Sequence, residues 1–219
     1  MNIIDSNIID LTHALSADIP SWDGSCGFDL ATVCDYKDCS GPDLFRIQKI
    51  TSRAGMGTHI DAPAHCFPGS KTIDTLELKN LITDCVVIKV HDVADENYLL
   101  MPETILKFEK EHGVIKENTF VICHTGWDRY WTNPEKYRNN LRFPSIHEST
   151  GKLLLERNIA GLGIDTLSPD AQGKSFPIHR TILGAGKYLV ENVTNANNLP
   201  AIGAKIIAAP MKIKDGTEA

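Results

Sequence analysis

Apolar residues along the chain gather in short runs separated by polar, glycine-rich turns. Seven runs read as strands: Ile8 to Leu11, Phe45 to Ile50, Cys85 to Val93, Phe120 to Cys123, Ile159 to Ile164, Tyr188 to Val193 and Ala204 to Ile213. Unbroken stretches such as Cys85-Val86-Val87-Ile88 lack polar alternation, as in strands buried on both faces. Helical spacing appears between them. Pro102 opens a helix reaching His112, with Ile105, Leu106 and Glu109 in phase and Gly113 as its stop. A leucine-rich helix covers Glu148 to Asn158, and a shorter one begins near His179 and ends at Gly184-Ala185-Gly186. Residues 12–44 and 125–147 carry neither period and read as long loops, a length associated with lids and binding loops. Mixed strands and helices predict an α/β architecture, with residues 1–219 as a single domain.

Composition changes this picture little but excludes some functions. Hydrophobic residues make up 42% of the chain and charged residues 23%, enough for a sizeable core. The net charge is -6 and no basic tract occurs, which argues against a nucleic-acid partner. No run approaches the roughly 20 apolar residues that cross a bilayer. Met1-Asn2-Ile3-Ile4-Asp5 lacks the basic and apolar regions of a secretory signal. None of the six cysteines forms a C-x-x-C pair, so reduced thiols and a cytoplasmic location are expected.

Candidate chemistry lies in two places. His59 and Asp61 are two residues apart, so in extended chain they point to one side. Pro63 favours that extension, and Gly55 and Gly57 allow a sharp turn before it. His65 follows where the chain can bend back. Imidazole with carboxylate suits Zn²⁺ or Mn²⁺, and a further histidine can move protons near neutral pH. A hydrogen-bonded loop pair would show the same His-x-Asp spacing. The second place is His179 with Glu191. Glu191 sits in the otherwise apolar Tyr188-Leu189-Val190-Glu191-Asn192-Val193, where a carboxylate is costly to bury without a partner or cation. A helix cap at His179 and a solvent-facing strand end at Glu191 would also satisfy the pattern.

Together these residues resemble a known family. Gly57-Thr58-His59-Ile60-Asp61-Ala62-Pro63-Ala64-His65 is similar to the signature of the cyclase family of metal-dependent hydrolases, which includes bacterial arylformamidases and isatin hydrolases. Asp10-Leu11-Thr12-His13 with Pro20-Ser21-Trp22, Lys71-Thr72-Ile73-Asp74, Thr125-Gly126-Trp127 and Gly163-Ile164-Asp165-Thr166 resemble further family segments, in order along the chain. The resemblance implies a central mixed, barrel-like β-sheet flanked by helices and assembly as a homodimer or homotetramer. It implies divalent Zn or Mn held by His59, Asp61, His179 and Glu191, with His65 as an unliganded acid/base and Trp22 against an aromatic substrate. One departure stands out. Gly55 occupies a position where the family pattern has histidine, so one ion is expected rather than two, unless another residue such as His13 or His124 fills the gap.

The reaction so implied is hydrolysis of an amide bond in a small aromatic or cyclic substrate, with Thr125 as a candidate oxyanion donor. Trp127 and Trp131 are further candidates for an aromatic wall, although Trp127 also fits the core. The rival readings are a metal- or ligand-binding homologue altered in catalysis, and a hydrolase or lyase acting on a cyclic ester or other small carbonyl compound.

Overall fold

The computed structural model describes residues 7–25, 27–170 and 175–219. A six-stranded mixed sheet forms its centre. The strands are β3 (His59–Asp61), β4 (Ile82–Lys89), β6 (Phe120–His124), β8 (Gly161–Ile164), β9 (Tyr188–Glu191) and β10 (Ala204–Ile207), in the order β10-β4-β6-β8-β9-β3. Strands β4, β6, β8 and β9 run parallel, whereas β10 and β3 add antiparallel edges.

Period-two alternation divides the core between two faces. Val121 and Cys123 of β6 pack with Leu162, Ile164 and Leu189 on one face, beneath α2 (Pro102–His112), α4 (Glu148–Glu156) and α5 (Pro177–Gly184). Phe120 and Ile122 turn to the other face, against Ile60, Tyr188, Val190 and Leu81 of the short α1 (Leu78–Leu81). The expected mixed central sheet flanked by helices is therefore present; β6, β8 and β9 are buried along their whole length, as parallel strands covered on both faces are, whereas β4 alternates at its start, with Ile82 and Asp84 exposed.

Several local expectations change. Ile8 to Leu11 forms no strand; the Leu11 carbonyl instead accepts from the Thr194 amide. The strand expected through Val193 stops at Glu191, because Asn192 turns left-handed with φ 57°. The run from Ala204 is strand only to Ile207, before Pro210 with its missing N–H. Helix α5, expected near His179, starts at Pro177 and ends at Gly184 as its glycine stop predicts. The loop 125–147 contains α3 (Pro134–Arg138) and β7 (Ser145–Ile146), the latter paired in parallel with β5 (Leu99–Leu100). The loop 12–44 contains β1 (Phe28–Cys34), which pairs antiparallel with β2 (Ile47–Ser52) as a hairpin outside the central sheet. The strand expected at Phe45 to Ile50 is present as β2, whereas β1 carries no legible pattern, because nearly every residue of the ribbon is exposed and neither face is selected for apolarity. Among the described residues the cysteines are free, and no helix is long and apolar enough to cross a membrane.

Candidate active site

Strand register builds the site at one corner of the sheet. In the β3–β9 pair His59 lies opposite Glu191, and Ile60 opposite Val190. Ile60 and Val190 enter the apolar core, so alternation puts His59, Asp61 and Glu191 on the opposite face, the face covered by α5. From that helix His179 reaches down to the same carboxylates. A 3₁₀ turn at Pro63–His65 bends the chain back and brings the His65 ring within 5.9 Å of the His179 ring. The local backbone depends on Gly57, whose φ of 67° is a left-handed conformation that glycine adopts freely. Its carbonyl accepts from His59 Nδ1 at 2.9 Å and Asn192 Nδ2 at 2.8 Å.

Four charged or chargeable groups converge without direct hydrogen bonding. His59 Nε2 is 3.4 Å from Asp61 Oδ1 and 3.6 Å from Glu191 Oε2. His179 Nε2 is 3.5 Å from Asp61 Oδ2 and 3.4 Å from Glu191 Oε1. Asp61 is 1% exposed, yet neither of its carboxylate oxygens has a hydrogen-bond partner, and Glu191 Oε1 also lacks one. Both imidazoles are oriented from behind. A carbonyl can only accept, so His59 donates from Nδ1 to Gly57, and His179 Nδ1 meets Asp170 Oδ2 at 2.7 Å. Each ring thereby turns its Nε2 toward the two carboxylates, as in histidines that bind metal with Nδ1 held by an outer acceptor. The donor set thus fits a divalent cation: two imidazole nitrogens and two buried carboxylates with orphaned oxygens.

The electrostatics agree. Burial opposes protonation of His59, but Asp61 and Glu191 override it and push the ring up to about 10. Burial likewise opposes protonation of His179, and Asp170, Asp61 and Glu191 raise it to about 12. Glu191 is itself raised by burial and by the Asp61 charge. Two carboxylates this deeply buried need positive charge beside them. Protons on the histidines meet that need alone; a cation meets it by displacing them. His65 is half-buried and is raised by Glu218, whose Oε2 lies 3.5 Å from His65 Nδ1, against the effect of burial.

Above these groups opens a cavity of about 250 Å³, walled on its apolar side by Pro20, Trp22, Leu167 and Phe176. Trp22 is 38% exposed and its ring lies 5.7 Å from that of Phe176. His59, His65, His179, Glu191 and Trp22 therefore share one pocket, and Asp61 lies beneath it.

Thr125 does not join them, which corrects its assignment as an oxyanion donor. Its N–H and hydroxyl both donate to buried Asp165, which also accepts from the amides of Gly126 and Trp127. Thr125 is part of a strand-to-loop junction held by one carboxylate. Asp165→Asn should place an amide NH₂ among those donors and cost about 3 kcal/mol, the scale for spoiling hydrogen bonds to a buried charged group. A lowered denaturation midpoint in urea checks this. Trp127 is core, donating from Nε1 to the Tyr137 carbonyl, and Trp131 stacks on His13. Neither His13 nor His124 fills the place at Gly55; His124 lies instead between Asp128 and Asp165.

Three participants escaped the sequence reading. Asp170 accepts from the amides of Ile178 and His179 as well as the His179 ring, so it caps α5 and aims its histidine together. Phe176, just before that helix, completes the apolar wall. Glu218 enters the pocket from the far end of the chain.

Comparisons with known proteins point the same way. The family model described as "Putative cyclase" matches residues 9–171. Isatin hydrolase of Roseibium aggregatum is 31% identical over 204 residues, which cover 86% of this chain and 77% of that protein. Kynurenine formamidase of Bacillus cereus is 26% identical over 218 residues, covering 96% and 92%. Among solved structures, isatin hydrolase A from Labrenzia aggregata bound to benzyl benzoate superposes with a TM-score of 0.86 at 30% identity, covering 96% of this chain and 90% of that one.

Proposed function

The chain belongs to the cyclase family, and from that premise we propose that it is a metal-dependent hydrolase cleaving the C–N bond of a small aromatic or cyclic amide. The observation that carries the reading is the pair of orphaned oxygens on buried Asp61, each facing a histidine Nε2. The relatives' named activities, on isatin and on a kynurenine formamide, are both hydrolyses of an aryl amide.

In this reading Asp61, Glu191, His59 and His179 hold Zn²⁺ or Mn²⁺. A divalent ion supplies two things when bound, a water acidified from pKa about 15.7 to about 7 and polarisation of the substrate carbonyl. The chain's own residues do the rest. Asp61 and Glu191 compensate the cation's charge from buried positions. Asp170 and the Gly57 carbonyl keep the histidine nitrogens aimed. His65 stands at the pocket edge outside this donor set, free to accept a proton from water and deliver it to the leaving nitrogen. Trp22 and Phe176 offer flat apolar contact to an aryl ring. The test is turnover of isatin, N-formylkynurenine and simple anilides by protein supplied with Mn²⁺ or Zn²⁺, with and without chelator. Metal binding with no turnover of any amide would favour the altered homologue; turnover of lactones alone would move the reaction to cyclic esters.

The exposed hairpin supports self-association. Leu30 and Ile50 are directly opposed across β1 and β2, 49% and 63% exposed. An isolated two-stranded ribbon is marginal in water, and a second copy of the chain covering this pair would stabilise it. Leu30→Glu with Ile50→Glu is expected to shift the protein toward monomer in size-exclusion chromatography with light scattering. An unchanged mass would place any self-association elsewhere.

A further inference from the structure

We propose that Glu218 is a metal ligand and that it completes a second ion position sharing Asp61 with the first. This rests on the metal-dependent reading above and extends it to a residue that neither the family resemblance nor the sequence pattern indicated.

The backbone delivers Glu218 to the site. Residues 217–219 add to the outer edge of β3: Ile60 and Ala219 exchange hydrogen bonds of 2.8 and 3.0 Å, and the Ala62 amide donates to the Thr217 carbonyl at 2.9 Å. The register sets Glu218 opposite Asp61. Directly opposed residues of an antiparallel pair share a face, so Glu218 stands beside Asp61 as Glu191 stands beside His59.

Its carboxylate occupies the space over Gly55. A Cβ built on Gly55 would collide with Glu218 Oε1 and would stand 3.1 Å from His59 Nε2. A side chain at position 55 would have to push the Glu218 carboxylate aside, so positions 55 and 218 compete for one space beside His59. One ligand atom each from His59, Asp61 and Glu218 lies within 4.8 Å of the others, and the same holds for Asp61, His179 and Glu191. Asp61 belongs to both groups. Its Oδ1 faces His59 and its Oδ2 faces His179, and neither oxygen has another partner. A carboxylate with two such oxygens, one toward each group, is suited to bridging two cations. The expectation of a single ion came from the missing donor at Gly55, and Glu218 removes that reason.

The competing role for Glu218 is to orient His65, its 3.5 Å neighbour. Metal stoichiometry separates the two, because glutamine keeps a hydrogen-bonding group for His65 but loses the anionic ligand. Full-length protein is dialysed against saturating Mn²⁺, and bound metal is counted by elemental analysis alongside Mn²⁺ electron paramagnetic resonance. Wild type should hold two ions per chain with a spin-coupled spectrum. Glu218→Gln should hold one, with the six-line signal of an isolated ion. Gly55→His combined with Glu218→Ala, which clears the space and supplies a nitrogen there, should bring the second ion back. Wild type binding one ion, or Glu218→Gln retaining two, would overturn the assignment while leaving the hydrolase reading intact. Wild type binding none would remove both.

Discussion

Asp61→Asn should strip the protein of divalent metal and of hydrolysis together. The side chain is 1% exposed, and both of its oxygens face imidazole nitrogens without a hydrogen bond to either. Asparagine preserves the shape but removes the negative charge and turns one oxygen into an NH₂ group that cannot bind a cation. Removing one partner of a buried charge pair costs about 3–5 kcal/mol, which corresponds to about 10²–10⁴ in metal affinity. A second readout is thermal. A ligand at a hundred times its Kd stabilises the folded state by about 2.7 kcal/mol, or about 5–10 °C in Tm for a chain of this size. Wild type should gain that increment on adding Mn²⁺ and lose it with chelator, whereas Asp61→Asn should respond to neither. Retained metal and an unchanged Mn²⁺-dependent Tm in the variant would show that the ion sits elsewhere.

His65→Ala should separate chemistry from binding. His65 is outside both ligand groups that contain Asp61, with its ring at the pocket edge and 5.9 Å from the ring of His179. Its removal should leave metal content at the wild-type value while kcat on a competent amide falls about 10²–10⁴-fold, the usual contribution of a positioned acid/base. The pair of measurements matters more than either alone. Loss of metal along with rate would make His65 a ligand, and a kcat within a few-fold of wild type would take it out of the proton path.

The first pair of site residues is legible in the sequence because its information is local. His59 and Asp61 sit at period-two spacing within a segment that Pro63 keeps extended, and the structure shows both on one face of a short edge strand. Glu191 was visible as a lone carboxylate in an apolar strand, a pattern that burial makes expensive without compensation. The buried strands from Cys85 and Phe120 and the helix from Pro102 were equally plain, since core packing repeats the same demand at every residue along them. Thr125 misled because its sequence neighbourhood carries no sign of Asp165, forty residues on, which takes both of its donors.

By itself the sequence determined the mixed α/β architecture, because alternation acts within a few residues, and its motifs carried the resemblance to the family and the types of side chain available for chemistry. Only the tertiary structure decided which of those side chains meet. Asp170 became the aim of His179 through a helix that starts seven residues later, and the β1–β2 hairpin formed without a buried face to mark it. Glu218 lies beside Asp61 through a strand pairing made by backbone amides and carbonyls. Backbone pairing is indifferent to residue type, so nothing in the local pattern of either segment announces it.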